Sequence, residues 1–148
     1  MQNNVRSLIA HVRGPLEQRL VALENRAYVA LATDNTITAA AYATLLTANI
    51  TTVLTGGYLV ITFSASGRKT TGIGSAYFQI LVDGIVAKAC YSGWGINFPF
   101  NSGMVVRVAV KKGAHTVLVQ WKTDVNSLQI NAASVVEEHA HLLVQEAA

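Results

Sequence analysis

The chain has 148 residues, of which 51% are hydrophobic and 13% charged, and its formal net charge is +3. This composition excludes intrinsic disorder, which requires low hydrophobicity and high charge. The small, dispersed positive charge argues against nucleic-acid binding, and no apolar run approaches the roughly 20 residues of a membrane-spanning helix. The apolar excess indicates that partner subunits cover part of the surface.

The N-terminal 38 residues are expected to form an arm and a helix. Residues 1–13 cannot bury much surface, so we expect a short helix or an extended arm that becomes ordered only against a partner. From Pro15, which suits the first position of a helix, the apolar spacing of 4, 3, 4, 3 predicts a helix over 15–32. The sequence 33–36 is typical of a turn. The spaced residues are Leu16, Leu20, Leu23, Ala27 and Ala30.

From Ala39 the hydrophobic period changes to two, which predicts β-strands. Asp83-Gly84 between two apolar runs predicts a two-residue hairpin. We therefore expect residues 39–148 to form an all-β domain, an antiparallel β-sandwich or jelly roll of about eight strands, preceded by the one α-helix. The predicted strands are 40–54, 57–66, 75–82, 85–92, 104–111, 115–123, 127–134 and 138–146.

Several of these strands are apolar on both faces, notably over 58–65 and 104–110. A lone antiparallel sandwich should have one visibly polar face. The second apolar face therefore predicts a homo-oligomer. The candidate residues for its interface are Leu16, Leu20, Leu23, Tyr58, Val60, His139 and His141.

The ionisable residues do not suggest an enzyme. Asp83 and Asp124 serve as turn formers, and Glu137-Glu138 would point to opposite faces of a strand, so a general acid/base pair is not expected. His139 and His141 share one face and could bind a metal; a polar or interface-lining strand is the favoured interpretation. No motif for a cofactor is present, so we expect none. The single cysteine, Cys90, excludes an internal disulfide.

The segment 91–100 contains four aromatic residues in a predicted loop. Aromatic faces can stack on apolar patches of a ligand, so Tyr91, Trp94 and Phe98 are candidates for a sugar platform. The favoured interpretation is a loop that caps the sandwich or wedges against a neighbouring subunit.

Five stretches carry a resemblance to a known family: 57–65, 77–84, 113–121, 129–131 and 142–146. The most specific is 113–121, with the pattern Gly-x-His-Thr-Val-x-Val-Gln-Trp. Their order resembles the jelly-roll domains of tailed-phage structural proteins, similar in layout to the trimeric C1q and tumour-necrosis-factor folds. Within that group the chain looks most like a capsid decoration (cementing) protein.

This resemblance implies a homotrimer that binds the major capsid protein and ties neighbouring capsid subunits together. The protein would be made in the host cytoplasm and would end on the capsid surface of the virion, without nucleic-acid or membrane partners. Arg6 and Arg13 would then belong to an arm that meets acidic capsid surface. The alternatives are a tail-fibre or baseplate domain, and a carbohydrate-binding module that uses Tyr91, Trp94 and Phe98.

Overall fold

The computed structural model of the chain describes residues 25–38, 40–69, 71, 74–94, 99–124, 128–130 and 140–148. This part of the chain contains ten β-strands, all paired antiparallel, and no helix. The strands are β1 (Arg26–Ala30), β2 (Asn35–Ile37), β3 (Ala43–Thr52), β4 (Tyr58–Lys69), β5 (Gly74–Val82), β6 (Ile85–Trp94), β7 (Pro99–Ala109), β8 (Gly113–Thr123), β9 (Leu128–Ile130) and β10 (His141–Ala147). Over the described ranges, the search for a helix long and apolar enough to cross a membrane finds none.

The strands form two sheets that enclose the core. In sheet A the order is β1-β10-β4-β9-β2, and β7 pairs with the other edge of β4. In sheet B the order is β3-β8-β5-β6. Among the described strands, β7 is thus one edge of sheet A and β6 one edge of sheet B, and these two edges lie next to each other.

The predicted all-β antiparallel fold is confirmed. Each of the eight predicted strands overlaps one strand from β3 to β10. The predicted hairpin is confirmed as well, because Asp83 and Gly84 join β5 to β6 and have φ angles of 51° and 82°. Two consecutive positive φ angles are what a two-residue type I′ turn requires.

The predicted helix over 15–32 is wrong at its C-terminal end, where residues 26–30 form β1. This strand pairs with β10, so that Ala27 lies opposite Val144 and Val29 opposite Leu142. Ala27 and Val29 pack against the core while Tyr28 is exposed. Pairing with a strand more than a hundred residues away therefore overrides the local helical spacing. The remainder of that predicted helix, including Leu16, Leu20 and Leu23, lies outside the described residues.

The predicted turn at 33–36 is also partly a strand. Asn35–Ile37 forms β2, and Ile37 lies opposite Leu128 of β9. Both side chains are buried, and their burial outweighs the turn composition of the segment. β1 and β2 precede residue 39 and are nevertheless part of sheet A.

The core follows the predicted alternation. Its centre is aromatic: the ring centroid of Phe78 lies 5.4 Å from that of Phe63 and 6.2 Å from that of Phe100. Such separations fall in the range that favours aromatic pairs. The buried residues of the two clearest alternating strands are Leu59, Ile61, Phe63, Ala65, Val117, Val119 and Trp121.

The fully buried side chain of Glu146 links three segments of the chain at one end of the sandwich. Oε1 of Glu146 accepts hydrogen bonds from the backbone N–H groups of Val53 and Leu54, at 2.8 and 2.7 Å. Its Oε2 accepts a bond from Nδ2 of Asn25 at 2.6 Å, and that same amide nitrogen donates to the carbonyl of Thr51. Hydrogen bonding of this kind is what makes a buried charge tolerable. Glu146 therefore ties β10 to the entry of β1 and to the turn after β3.

Candidate functional site

The surface of sheet A that points away from the core is largely uncharged. Because side chains alternate along a strand, the buried side chains of β4 and β10 leave their neighbours on this outer surface. We call it the A face. Its residues are Arg26, Tyr28, Ala30, Tyr58, Val60, Thr62, Ser64, Val105, Arg107, Ala109, His141, Leu143, Gln145 and Ala147.

The apolar side chains of the A face form rows across the strands. Tyr28 lies opposite Leu143, Leu143 opposite Thr62, and Thr62 opposite Val105. The two ends of this row are open to solvent, with Tyr28 56% and Val105 63% exposed. In the adjacent row Val60 lies between Gln145 and Arg107. Apolar side chains on the A face therefore occur from β1 to β7, with the polar Thr62 and Gln145 between them.

The A face as defined carries two cations, Arg26 and Arg107, and no carboxylate. The guanidinium of Arg107 lies 3.7 Å from the ring centroid of Tyr58, and its Nη2 donates to the backbone oxygen of Ala148 at 3.1 Å. A cation held on a ring keeps its stem flat against the surface. The A face is therefore suited to contact with another protein surface of similar low charge.

Three of the predicted interface residues lie on the A face, Tyr58 and Val60 towards one end and His141 towards the other. Tyr58 and Val60 are half-buried on β4, and His141 is half-buried on β10 with its ring centroid 6.0 Å from that of Tyr28. Leu16, Leu20, Leu23 and His139 lie outside the described residues, as do the arm residues Arg6 and Arg13.

The predicted aromatic loop is only partly described. Tyr91 and Trp94 belong to β6 rather than to a loop, so β6 extends beyond its predicted end at residue 92. Tyr91 is 72% exposed and lies on the outer surface of sheet B. Phe98 lies outside the described residues. Tyr91 is thus placed on the opposite sheet from Tyr58, Val60 and His141.

A groove of about 550 Å³ opens where the edge strands β6 and β7 diverge. Its walls are mainly aliphatic, and two of the exposed residues beside it, Ile85 and Val86, are 74% and 52% exposed. Sequence reasoning missed this surface. The signal available was the apolar pair Ile85-Val86 directly after the Asp83-Gly84 turn, where a polar residue is expected.

The polar end of the groove is a histidine–aspartate pair. Nδ1 of His115 lies 2.7 Å from Oδ2 of Asp83, and its Nε2 lies 2.7 Å from the carbonyl oxygen of Lys111. Asp83 Oδ1 also accepts a bond from the N–H of Thr116. The hydrogen bond to Asp83 raises the pKa of His115, and the same bond lowers the pKa of Asp83. The prediction of Asp83 as a turn former therefore covers only part of its role.

The described part of the chain contains residues of the types that bind metals, and the protein's single thiol. Within these ranges no group of three or more His, Cys, Asp or Glu side chains could hold a metal ion. The thiol of Cys90 is half-buried and lies 3.4 Å from the hydroxyl of Ser102.

No protein-family model matches the sequence, and no curated protein matches it. Solved structures resemble it in fold. The structure of Eiger TNF from S. frugiperda is 13% identical, with a TM-score of 0.51 over 82% of this chain and 91% of that one. Dimeric latent PorU from Porphyromonas gingivalis is 9% identical, with a TM-score of 0.51 over 85% of this chain and only 13% of its own.

A third structure, the CBM36-1 domain of a multidomain xylanase from the hindgut metagenome of Trinervitermes trinervoides, is 15% identical. Its TM-score is 0.45 over 84% of this chain and 99% of that one. At identities this low the likenesses show the fold alone. The likeness to Eiger shows that the chain has a TNF-like jelly-roll fold, as the resemblance in sequence implied.

Proposed function

We propose that this chain is a non-catalytic structural protein that functions as a homotrimer, with the A face as the main contact between its subunits. The observation that carries the proposal is the uncharged row that runs from Tyr28 through Leu143 and Thr62 to Val105 on the A face. Burying a fully exposed valine or leucine side chain contributes about 1.5–3 kcal/mol. Several such side chains on one flat face supply a driving force for association.

A second apolar surface supports the closure of three subunits into a ring. The open edge formed by β6 and β7 carries Ile85 and Val86, which are not on the A face. Contact between two different surfaces of the same chain is heterologous, and such contacts generate closed rings when the rotation permits. The A face of one subunit against the β6–β7 edge of the next accounts for both surfaces at once.

The assembly role we propose is decoration of the shell of a tailed phage, and its support is the resemblance in sequence. A trimer that binds only the assembled shell stabilises that shell by its binding free energy at each site. Repetition over many sites makes the effect large. In this proposal the arm that contains Arg6 and Arg13 attaches the trimer to acidic surface of the major capsid protein.

Co-sedimentation of the purified chain with empty, expanded phage shells tests the decoration role. We expect the full-length protein to sediment with the shells and to raise their melting temperature. Deletion of residues 1–13 should weaken attachment, and light scattering should show the same mass before and after the deletion. A full-length trimer that leaves shells neither bound nor stabilised would contradict decoration while leaving the trimer intact.

A further inference from the structure

We propose that the outer surface of sheet B binds an acidic saccharide through a row of three tyrosines and one lysine. The row consists, in order across the sheet, of Tyr42, Lys122, Tyr77 and Tyr91, and we call it the tyrosine row. It lies on the sheet opposite the A face, so the proposal does not depend on the proposed trimer or on shell decoration.

The tyrosine row crosses three strands and the segment before β3. Lys122 on β8 lies opposite Tyr77 on β5, and Tyr77 lies opposite Tyr91 on β6. The ring centroids of Tyr77 and Tyr91 are 6.1 Å apart with an angle of 32° between their planes. With strands about 4.8 Å apart, the row extends over about 14 Å. This length suits an extended oligosaccharide rather than a compact small molecule.

The rings offer the chemistry that sugars require. An aromatic face packs on the C–H surface of a sugar ring, and a tyrosine hydroxyl can donate to or accept from sugar hydroxyls. Partial burial, together with the nearby Cys90 and Tyr77, raises the pKa of Tyr42, which moves the loss of its donor proton still further above neutral pH. Tyr91, the most open member, provides an accessible stacking surface.

An amide pair flanks the row. Nε2 of Gln79 donates to Oε1 of Gln120 at 2.7 Å, and the two residues lie opposite each other on β5 and β8. This bond uses one oxygen and one amino group of the pair, which leaves Oε1 of Gln79 and Nε2 of Gln120 to bond a ligand. The pair lies one row from Tyr77 and Lys122, where it would meet the hydroxyl groups of a stacked sugar.

Lys122 points to an acidic rather than a neutral saccharide. Its Nζ lies 4.7 Å from the ring centroid of Tyr42 and 5.1 Å from that of Tyr77, and within the described residues these rings are its only partners. The acid nearest along β8, Asp124, accepts a bond at Oδ1 from the N–H of Ser75. Among the described residues the contacts of the ammonium are the two rings, and a carboxylate of the ligand would pair with it.

Calorimetric titration with short oligogalacturonate and oligoalginate, and with the methyl ester of the former, tests the proposal. The full-length protein should bind the acids more tightly than the ester. Tyr91→Ala should weaken binding of the acids about tenfold, as the loss of an aromatic contact predicts. Lys122→Gln should abolish the preference for acid over ester. Thr47→Ala, an exposed change on the same sheet outside the row, should leave binding unchanged.

Three results would overturn the proposal. The first is the failure of both acidic oligosaccharides to bind. The second is a Tyr91→Ala variant that binds as well as the unmodified chain, which would show that the tyrosines have a structural role only. The third is equal affinity for polyphosphate, because that polyanion has no apolar sugar face and would reveal charge attraction alone. Circular dichroism of each variant confirms that the fold is retained.

Discussion

The imidazole of His115 and the carboxylate of Asp83, 2.7 Å apart, join β8 to the hairpin between β5 and β6. The second ring nitrogen of His115 faces the carbonyl oxygen of Lys111. Because a carboxylate and a carbonyl oxygen can only accept, both ring nitrogens must carry a proton for both bonds to form. Both bonds can therefore form at once only when His115 is an imidazolium, so the pair depends on pH.

The pair should stabilise the fold most in mildly acidic solution. The folded-state pKa of His115 is raised above its ordinary 6.5, so its contribution is complete below pH 6.5 and is lost as the pH rises through the raised value. The pKa of Asp83 is lowered from 3.8, so its contribution is present above that pH and is lost as the pH falls through the lowered value. Besides Asp83, the hydrogen bond to the carbonyl oxygen of Lys111 and the charge of Glu146 also raise the pKa of His115, while partial burial lowers it.

Urea unfolding of the unmodified chain and of His115→Gln, at equal protein concentration and across this pH range, measures the effect. Since Asp83 is about half exposed, solvent screening limits the difference to about 1 kcal/mol or less. The difference in free energy of unfolding between the two proteins should shrink as the pH rises above 6.5. A difference that is constant with pH would show that His115 is not charged in the fold.

The buried carboxylate of Glu146 should be hard to replace. In Glu146→Gln the side chain keeps only one acceptor oxygen. Its amino group, itself a donor, then faces either the two backbone N–H donors of Val53 and Leu54 or the Nδ2 donor of Asn25. Asn25 cannot turn its amide to compensate, because its Nδ2 also donates to the carbonyl of Thr51. Loss of a charge-assisted bond costs about 1.5–3 kcal/mol.

Urea unfolding tests this prediction with Asn25→Ala as the comparison. Asn25→Ala removes one of the three donors to Glu146 and leaves the carboxylate with the two backbone bonds, so it should cost less than Glu146→Gln. The reverse order would mean that Asn25, rather than the carboxylate, fastens this end of the sandwich.

Gly67 on β4 should not tolerate a side chain. A Cβ at this position would lie 2.4 Å from the carbonyl oxygen of Gln129 and 2.9 Å from Cζ of Phe100. Overpacking of this kind costs about 1–3 kcal/mol, so Gly67→Ala should lower the free energy of unfolding by that amount. At Gly103 on the neighbouring strand the nearest atom is 3.4 Å away, so Gly103→Ala is a matched control with a smaller effect. Equal losses would show that β4 can move away from β9.

Introducing a charge at Val105 should disrupt the proposed interface. It lies at the solvent end of the row that begins at Tyr28, so Val105→Arg places a charge in the contact while leaving the core unchanged. We expect this variant to be monomeric by light scattering, with an unchanged circular dichroism spectrum. Thr47→Arg, on the outer surface of sheet B, should remain trimeric. A trimeric Val105→Arg variant would place the contact elsewhere.

The local sequence pattern was enough to predict strands that are long and whose residues follow a clear period of two. The period-two pattern of Leu59, Ile61 and Phe63 within an uncharged run predicted β4, and the same reasoning predicted β8. It failed at β1, because Ala27 and Ala30 also continue a helical spacing and the strand is decided by its pairing with β10. A pairing of residues that far apart in sequence leaves no mark within a local window.

The surfaces, like the strands, include some that the sequence pattern predicted and some that it did not. Two-sided apolar strands indicated an interface at Tyr58 and Val60, and the structure places both on the A face. The groove beside Ile85 could not be predicted, because it exists only where two edge strands from different sheets diverge. The tyrosine row could not be predicted for a similar reason, since its members come from four separate parts of the sequence.

The solution mass of the full-length chain, measured by light scattering after a sizing column, shows whether the chain forms the proposed homotrimer. We expect a mass three times the 15.8 kDa of one chain, stable on dilution. A mass of one chain would contradict it, because the A face would then be exposed to water in the functional protein.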